Sequence, residues 1–300
     1  SYYDTLYIYT VLCYIGGSKS IRNRYQMQDK YNNELKGLSQ AERSVIDTLT
    51  RTGRLIIRAE NLQDQFGYKK KNANLLLSRL TKKGWLQRLV PRIYRKIPLG
   101  SDSSNPVPDD PWPIAMEIFG PCYISGWTAA EHWDLTEQIF NSTVVFTQQK
   151  QRRTEHKIAG LIFKTRAVSP ERFFGIKKVW SKNLQIQIAD IHKTIIDIMD
   201  DPAIGGGGIQ AVEIFKAYIH AKDASIETLC KYAEILDHGA VYKRIGFLIE
   251  KTTKNQSQWI DRLHSKIKTG IVNFDPHGPK KGQIITKWGI RLNVPLEDIA

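Results

Sequence analysis

After Leu38 the apolar residues of this chain settle into helical spacing. Ser39 and Glu42 form a capping-box pair, and Val45, Ile46 and Leu49 supply an apolar stripe that Thr52 and Gly53 end. A second helix is expected from about Arg58 to Phe66, with Ala59, Leu62 and Phe66 on one side and Gly67 as its stop. A third runs from about Lys70 to Lys83, with Ala73, Leu76, Leu77 and Leu80 on its inner side and Gly84 after it. Two β-like runs follow, Trp85 to Leu89 and Ile93 to Ile97, separated by Val90, Pro91 and Arg92. Helix, helix, turn, helix and hairpin in about sixty residues is the order of a winged helix-turn-helix.

Five of the twelve prolines then fall between Pro98 and Pro113, among Gly, Ser, Asp and Asn. Such a stretch is stiff and polar and reads as a linker. Beyond it, a helical stretch is expected near Thr128 to Trp133, strands at Thr143 to Thr147 and Ala159 to Thr165, and a hairpin from Phe173 to Trp180 and Leu184 to Ile188. Helices then take over at His192 to Met199, Gly208 to Ala221, Ser225 to Leu236, Ala240 to Lys251 and Gln256 to Lys268, and Gln283 to Val294 closes the pattern as another strand or pair of strands. The expected fold class is α+β. An N-terminal extension (1–37) leads into a winged helix-turn-helix (38–98), a Pro-rich linker (99–112) and a larger mixed α/β C-terminal domain (113–300).

The segment from Tyr2 to Ile15 is aromatic and apolar but interrupted by Asp4, and it is too short to span a bilayer. With no preceding positive charge and no small-residue cleavage site it is a poor signal peptide. It reads as an extra element packed on the body, or as sequence upstream of a start at Met27, and no membrane partner is expected.

Composition excludes disorder throughout, since 41% of residues are hydrophobic and 25% charged. The formal net charge of +14 sharpens the picture once it is placed. Residues 1–100 hold 19 basic and 7 acidic side chains, against 25 and 23 in the rest. From Lys69 to Lys96 there are ten basic residues and no acidic one. A block this one-sided argues for a face that binds a polyanion. Lys69, Lys70, Lys71, Asn72, Asn74, Ser78, Arg79 and Lys82 on the third helix, with Arg88, Arg92 and Arg95 on the hairpin, are the candidate DNA-binding residues. Cations suit phosphates and amide side chains suit adenine edges in a major groove. If about six of the ten charges meet phosphates, log affinity falls with log salt at a slope of about −5. A solvated basic face that docks another protein is the other reading of the same block.

Other constellations carry weaker chemistry. Asp190, His192, Asp197, Asp200 and Asp201, followed by Gly205 to Gly208, place carboxylates beside a histidine and a glycine loop, yet no P-loop Lys or Ser/Thr follows. Asp190 reads more simply as an N-cap, with Asp200 and Asp201 at a helix end and the glycines as a turn. Ser125, Glu131 and His132 lack a nucleophile elbow, and Ser125 reads as an N-cap, with Trp127 and Trp133 in the core. The seven histidines are never closer than thirteen residues, so no local zinc-ligand pair exists. Cys13, Cys122 and Cys230 are widely spaced and odd in number, which fits buried thiols in a reducing, cytoplasmic setting. No catalytic residue, metal site or cofactor is expected, and the chain reads as a binding protein rather than an enzyme.

The order of these motifs resembles the AbiEi family of antitoxins. The resemblance rests on the basic winged helix ending in Gly84-Trp85-Leu86-Gln87-Arg88 and on Tyr123-Ile124-Ser125-Gly126-Trp127-Thr128-Ala129-Ala130-Glu131-His132-Trp133. Leu135-Thr136-Glu137-Gln138 and a strand at Thr143 follow, then Ala189-Asp190, Thr194-Ile195-Ile196-Asp197 and Asp201-Pro202. It extends from about residue 38 to the end. It implies a two-domain protein encoded beside a nucleotidyltransferase-like toxin in an abortive-infection, phage-defence operon. The winged helix would bind inverted repeats in the operon's own promoter, as double-stranded DNA, and repress it. The C-terminal domain would counter the toxin without a stable complex. The family's wing often turns on Arg-Gly before its Tyr, whereas Val90-Pro91-Arg92-Ile93 precedes Tyr94 here. For the C-terminal domain two other functions stay open: an enzyme that reverses the toxin's modification through the Asp190 to Gly208 region, or a module that sequesters the toxin.

Overall fold

A computed structural model describes residues 37–101, 103, 105–181 and 184–295. The expected extension at 1–37 lies outside the described residues but for Gly37, as do Cys13 and residues 182–183 between the two strands of the expected hairpin. The chain divides into two compact units. One takes the described residues up to Asp109 together with Ile158–Gly160, and the other takes the remainder.

In the first unit, α1 (Gln40–Arg51) begins at a complete capping box: the Ser39 amide donates to Glu42 Oε2 at 2.8 Å and the Glu42 amide to Ser39 Oγ at 3.4 Å. The short strand β1 (Ile56–Arg58) follows, unforeseen in the sequence because three residues carry too little periodicity to register. It precedes α2 (Ala59–Phe66), which ends at Gly67 with φ +66°. Then come α3 (Lys70–Lys82), β2 (Leu86–Val90) and β3 (Ile93–Lys96), with the strands in the order β1-β3-β2 and both pairings antiparallel. Val45, Ile46, Leu49, Leu62, Leu77 and Leu80 meet in one core that Ile57 and Tyr94 of the sheet close. Burial of each such side chain stabilises by about 1.5–3 kcal/mol.

The second unit opens with α4 (Trp112–Phe119), which starts at the last residue of the expected linker and is a helix unforeseen in the sequence. Pro113 does not prevent this helix, because a first-turn residue has no amide bond to lose, and Asp110 receives the Trp112 amide at 2.9 Å. There follow β4 (Cys122–Ile124), α5 (Gly126–His132), β5 (Ser142–Thr147), β6 (Glu155–Ile158), β7 (Leu161–Ala167), β8 (Ile176–Ser181) and β9 (Leu184–Ala189). They form a mixed sheet in the order β6-β7-β5-β4-β9-β8. Ala159, expected in a strand, instead turns between β6 and β7 with φ +50° beside Gly160 at +86°.

The helices α6 (Ile191–Asp200), α7 (Gly208–His220), α8 (Ile226–Leu236), α9 (Gly239–Thr252) and α10 (Ser257–His264) pack a second core around Ile195, Phe215, Leu229 and Leu248. α10 stops at His264, short of the expected Lys268. A small sheet, β10 (Val272–Asn273), β11 (Gln283–Ile285) and β12 (Ile290–Leu292), closes the unit in the order β10-β12-β11. Between β11 and β12, Trp288 is wholly buried, and a Cβ on Gly246 of α9 would come within 2.1 Å of its ring. Only glycine lets that indole in. The architecture is α+β.

Glu42 also ties the ends of the first unit's helices together, since its Oε2 receives Lys83 Nζ at 2.6 Å. The lysine contact, above all, holds its carboxyl below the ordinary glutamate range, so its contribution is present above about pH 4 and lost as pH falls. Glu42→Ala removes half of the capping box and unpairs Lys83. It is expected to lower the stability of the first unit by about 1–3 kcal/mol at pH 7, read by urea denaturation.

Candidate nucleic-acid interface

The basic block divides once the side chains are placed. Ala73, Leu76, Leu77 and Leu80 turn α3 inward, which leaves Lys71, Leu75, Ser78 and Lys82, spaced four, three and four apart, along the opposite side. Lys69, Lys70, Lys71, Asn72, Arg79 and Lys82 are exposed, as is Arg88 on β2, and Asn74 and Ser78 are half-buried. Lys69 sits at the N-cap, and no acidic residue occupies the first turn. Three lysines at the positive end of a helix dipole oppose the usual charge preference. An anion there would meet both the ammonium groups and the free amides of the first turn.

Four of the ten cations serve the unit itself. Lys83 pairs with Glu42 and donates to the Gly37 carbonyl, and Lys96 Nζ donates to Thr50 Oγ1 at 2.5 Å. Arg92 pairs with Glu60. Arg95 departs from the expected site: it is only 8% exposed, with Nε on Gln87 Oε1 at 2.6 Å and Nη2 on the Pro106 carbonyl. Burial lowers its pKa, opposed by the charge of Asp109. Alternate side chains of β3 take opposite faces: Tyr94 enters the core, while Arg95 is buried on the other face against Gln87 and the Pro106 carbonyl, a distinction that charge counting cannot make. Lys69, Lys70, Lys71, Arg79, Lys82 and Arg88 remain exposed, with no ion pair or side-chain hydrogen bond among the described residues.

The β2–β3 loop is Pro91 and Arg92, since Val90 pairs with Ile93. Arg92 takes φ +72°, a backbone conformation that favours glycine. Its carbonyl accepts the Ala59 amide at 3.1 Å, so backbone and side chain both fasten the loop to the start of α2. Leu75, absent from the expected site, is 48% exposed between Lys71 and Ser78. Helical spacing alone could have revealed it, because Leu75 is the one leucine of α3 that falls off the buried stripe.

In the second unit the carboxylates of α6 are already engaged. Asp190 caps the helix through the Lys193 amide at 2.7 Å and accepts the Tyr232 hydroxyl at 2.8 Å. Asp197, wholly buried, accepts from Lys193 Nζ at 2.5 Å, Ser125 Oγ at 2.8 Å, Tyr123 Oη at 3.1 Å and Arg172 Nη2 at 3.2 Å. Asp200 meets His238 Nδ1 at 2.6 Å, Arg166 at 2.8 Å and Arg172 at 2.9 Å. Burial acts to raise the Asp200 carboxyl, but His238, Arg166 and Arg172 outweigh it and hold it well below the carboxylate range.

Ser125 therefore occupies an N-cap position without capping through its hydroxyl, which goes to Asp197. His132 packs edge-on against Trp112 and Trp133, and Glu131 is exposed, so no triad assembles. The glycine turn cradles the chain's own Asp275, whose Oδ2 accepts the Gly208 amide at 2.9 Å. Cys122 and Cys230 are buried free thiols, each pushed up to about 12 by burial. Among the described residues no group of three or more His, Cys, Asp or Glu is gathered as a metal-ligand set, and no helix is long and apolar enough to cross a membrane.

Because the Asp200 pKa is depressed on folding, its contribution is complete above about pH 4 and is lost as pH falls below that. Asp200→Asn is expected to cost about 3 kcal/mol at pH 7 by urea denaturation. It should also flatten the fall in stability between pH 4 and pH 2, and an unchanged acid limb would count against this assignment.

No family model matches the chain, and neither does any curated protein. Among solved structures, the crystal structure of the RV2827C protein from Mycobacterium tuberculosis is similar in fold, with a TM-score of 0.57 over 85% of this chain and 92% of that one. The two are 14% identical, so the likeness concerns the fold alone.

Proposed function

We propose that the first unit is a winged helix-turn-helix that binds double-stranded DNA and represses the promoter of its own gene. We further propose that the second unit is the antitoxin part of the chain. The observation that carries the DNA-binding reading is the set of six exposed cations without partners among the described residues, four on α3, Lys69 at its N-cap and Arg88 on β2, with no acidic residue between Lys69 and Lys96. α3 takes the place of a recognition helix, and the β2–β3 loop that of a wing. Lys70, Lys71, Asn72 and Asn74 at the helix start suit phosphate and base-edge contacts. The antitoxin role, directed against a nucleotidyltransferase-like toxin without a stable complex, rests on the AbiEi resemblance. In keeping with a non-enzymatic role, the Asp190 to Gly208 region is tied up in caps and ion pairs.

Lys70, Lys71 and Asn74 replaced together by Ala should abolish binding to a DNA duplex from upstream of the gene, measured by fluorescence anisotropy. Thermal stability should stay within about 1 kcal/mol, since the substituted side chains lie outside the core. For the unaltered protein, log affinity should fall with log salt at a slope of about −5, as six phosphate contacts require. Undiminished binding by the triple variant would overturn the assignment of α3.

A further inference from the structure

Lys243 on α9 is only 3% exposed, and burial pushes its ammonium below the ordinary lysine range. Other cations in the interior of this unit meet carboxylates or several carbonyls: Lys193 pairs with Asp197, Arg172 with Asp197 and Asp200, and Arg244 donates to the carbonyls of Met199, Asp200 and Asn273, although Nε of both arginines has no partner among the described residues. Lys243 Nζ, with three donors to satisfy, has one acceptor, the Gly270 carbonyl at 2.5 Å, and no carboxylate among the described residues. Gly289, at φ +58°, makes room for it, since a Cβ there would lie 3.1 Å from Nζ and 2.8 Å from the same carbonyl.

A cavity of about 340 Å³ lies against this ammonium. Ile267, Ile271, Ile284 and Thr286 line it, as does Lys268, and none of its lining residues is acidic. Ile271 is 54% exposed and Ile284 41%, a pair of large aliphatic surfaces held open beside a buried positive charge. An apolar wall with one under-satisfied cation selects an anion that has a hydrocarbon body, and the volume suits a small one. Lys268, the other cation of the lining, is exposed and solvated, so the one buried ammonium sets the balance: it matches one negative charge, which favours a carboxylate over a phosphate dianion.

We propose that this cavity binds a small aliphatic monocarboxylate, its head paired with Lys243 and its chain lying against Ile267, Ile271 and Ile284. The site is independent of the DNA-binding reading, because every residue in it belongs to the second unit. Hexanoate is the probe, titrated calorimetrically into the full-length chain at pH 7. Binding with a Kd on the order of 1 mM or tighter is expected. Lys243→Met, which keeps the length of the side chain, should weaken it at least tenfold, and hexan-1-ol should bind the unaltered protein at least tenfold more weakly than hexanoate does. Ile271→Asp with Ile284→Asp, both at exposed positions, should abolish binding while leaving Lys243 in place, and this variant decides the matter if Lys243→Met fails to fold. Absence of hexanoate binding, equal binding by either variant, or tighter binding of inorganic phosphate would each overturn the proposal.

Discussion

The second unit is organised around a charge that has nowhere to go. Asp197 is wholly buried, and an unpaired carboxylate in that position would cost many kcal/mol. Four donors from three separate stretches of chain converge on it: Tyr123 and Ser125 around the start of α5, Arg172 from the turn before β8, and Lys193 from the same helix. Arg172 then reaches on to Asp200, which brings in β7 through Arg166 and the start of α9 through His238. A network of this kind adds less to stability than an apolar core of the same volume, but any arrangement that separates its members is strongly penalised. The sheet and the helices are thereby held to one mutual arrangement.

That network draws together residues that are scattered in sequence. Tyr123 and Ser125 lie more than seventy residues before Asp197 along the chain, yet both donate to its carboxylate. Charge is used in the opposite way in the first unit. There the cations of α3 face outward, and the acidic partners that would neutralise them are absent from that stretch of sequence. The same residue types are interior structure in one unit and surface potential in the other.

Most helices were legible from apolar spacing and their caps, because an amphipathic stripe of three turns leaves a clear signal, as Ser39, Glu42 and Gly67 illustrate. The elements that escaped were short or broke a local rule: β1 has three residues, and α4 starts at a Trp-Pro pair within a proline-rich stretch. The basic face was legible as a total, but its membership was not. Arg95 and Lys83 differ from Arg88 and Lys82 only in where the backbone aims them, and their partners, Pro106 and Glu42, are distant in sequence. Ser125 misled for a related reason, since a serine ahead of a helix predicts a cap and not a bond to a carboxylate 72 residues away.

The fastening of the β2–β3 loop has a thermodynamic consequence. Arg92 holds a backbone conformation that favours glycine, and it is kept there by its ion pair with Glu60 and by the Ala59 amide on its carbonyl. A glycine at this point would let the loop sample many geometries, and ordering it against a ligand would cost entropy at the moment of binding. With arginine, most of that ordering has already happened during folding. The loop is preorganised relative to α2, so any ligand that meets it is spared that share of the ordering cost.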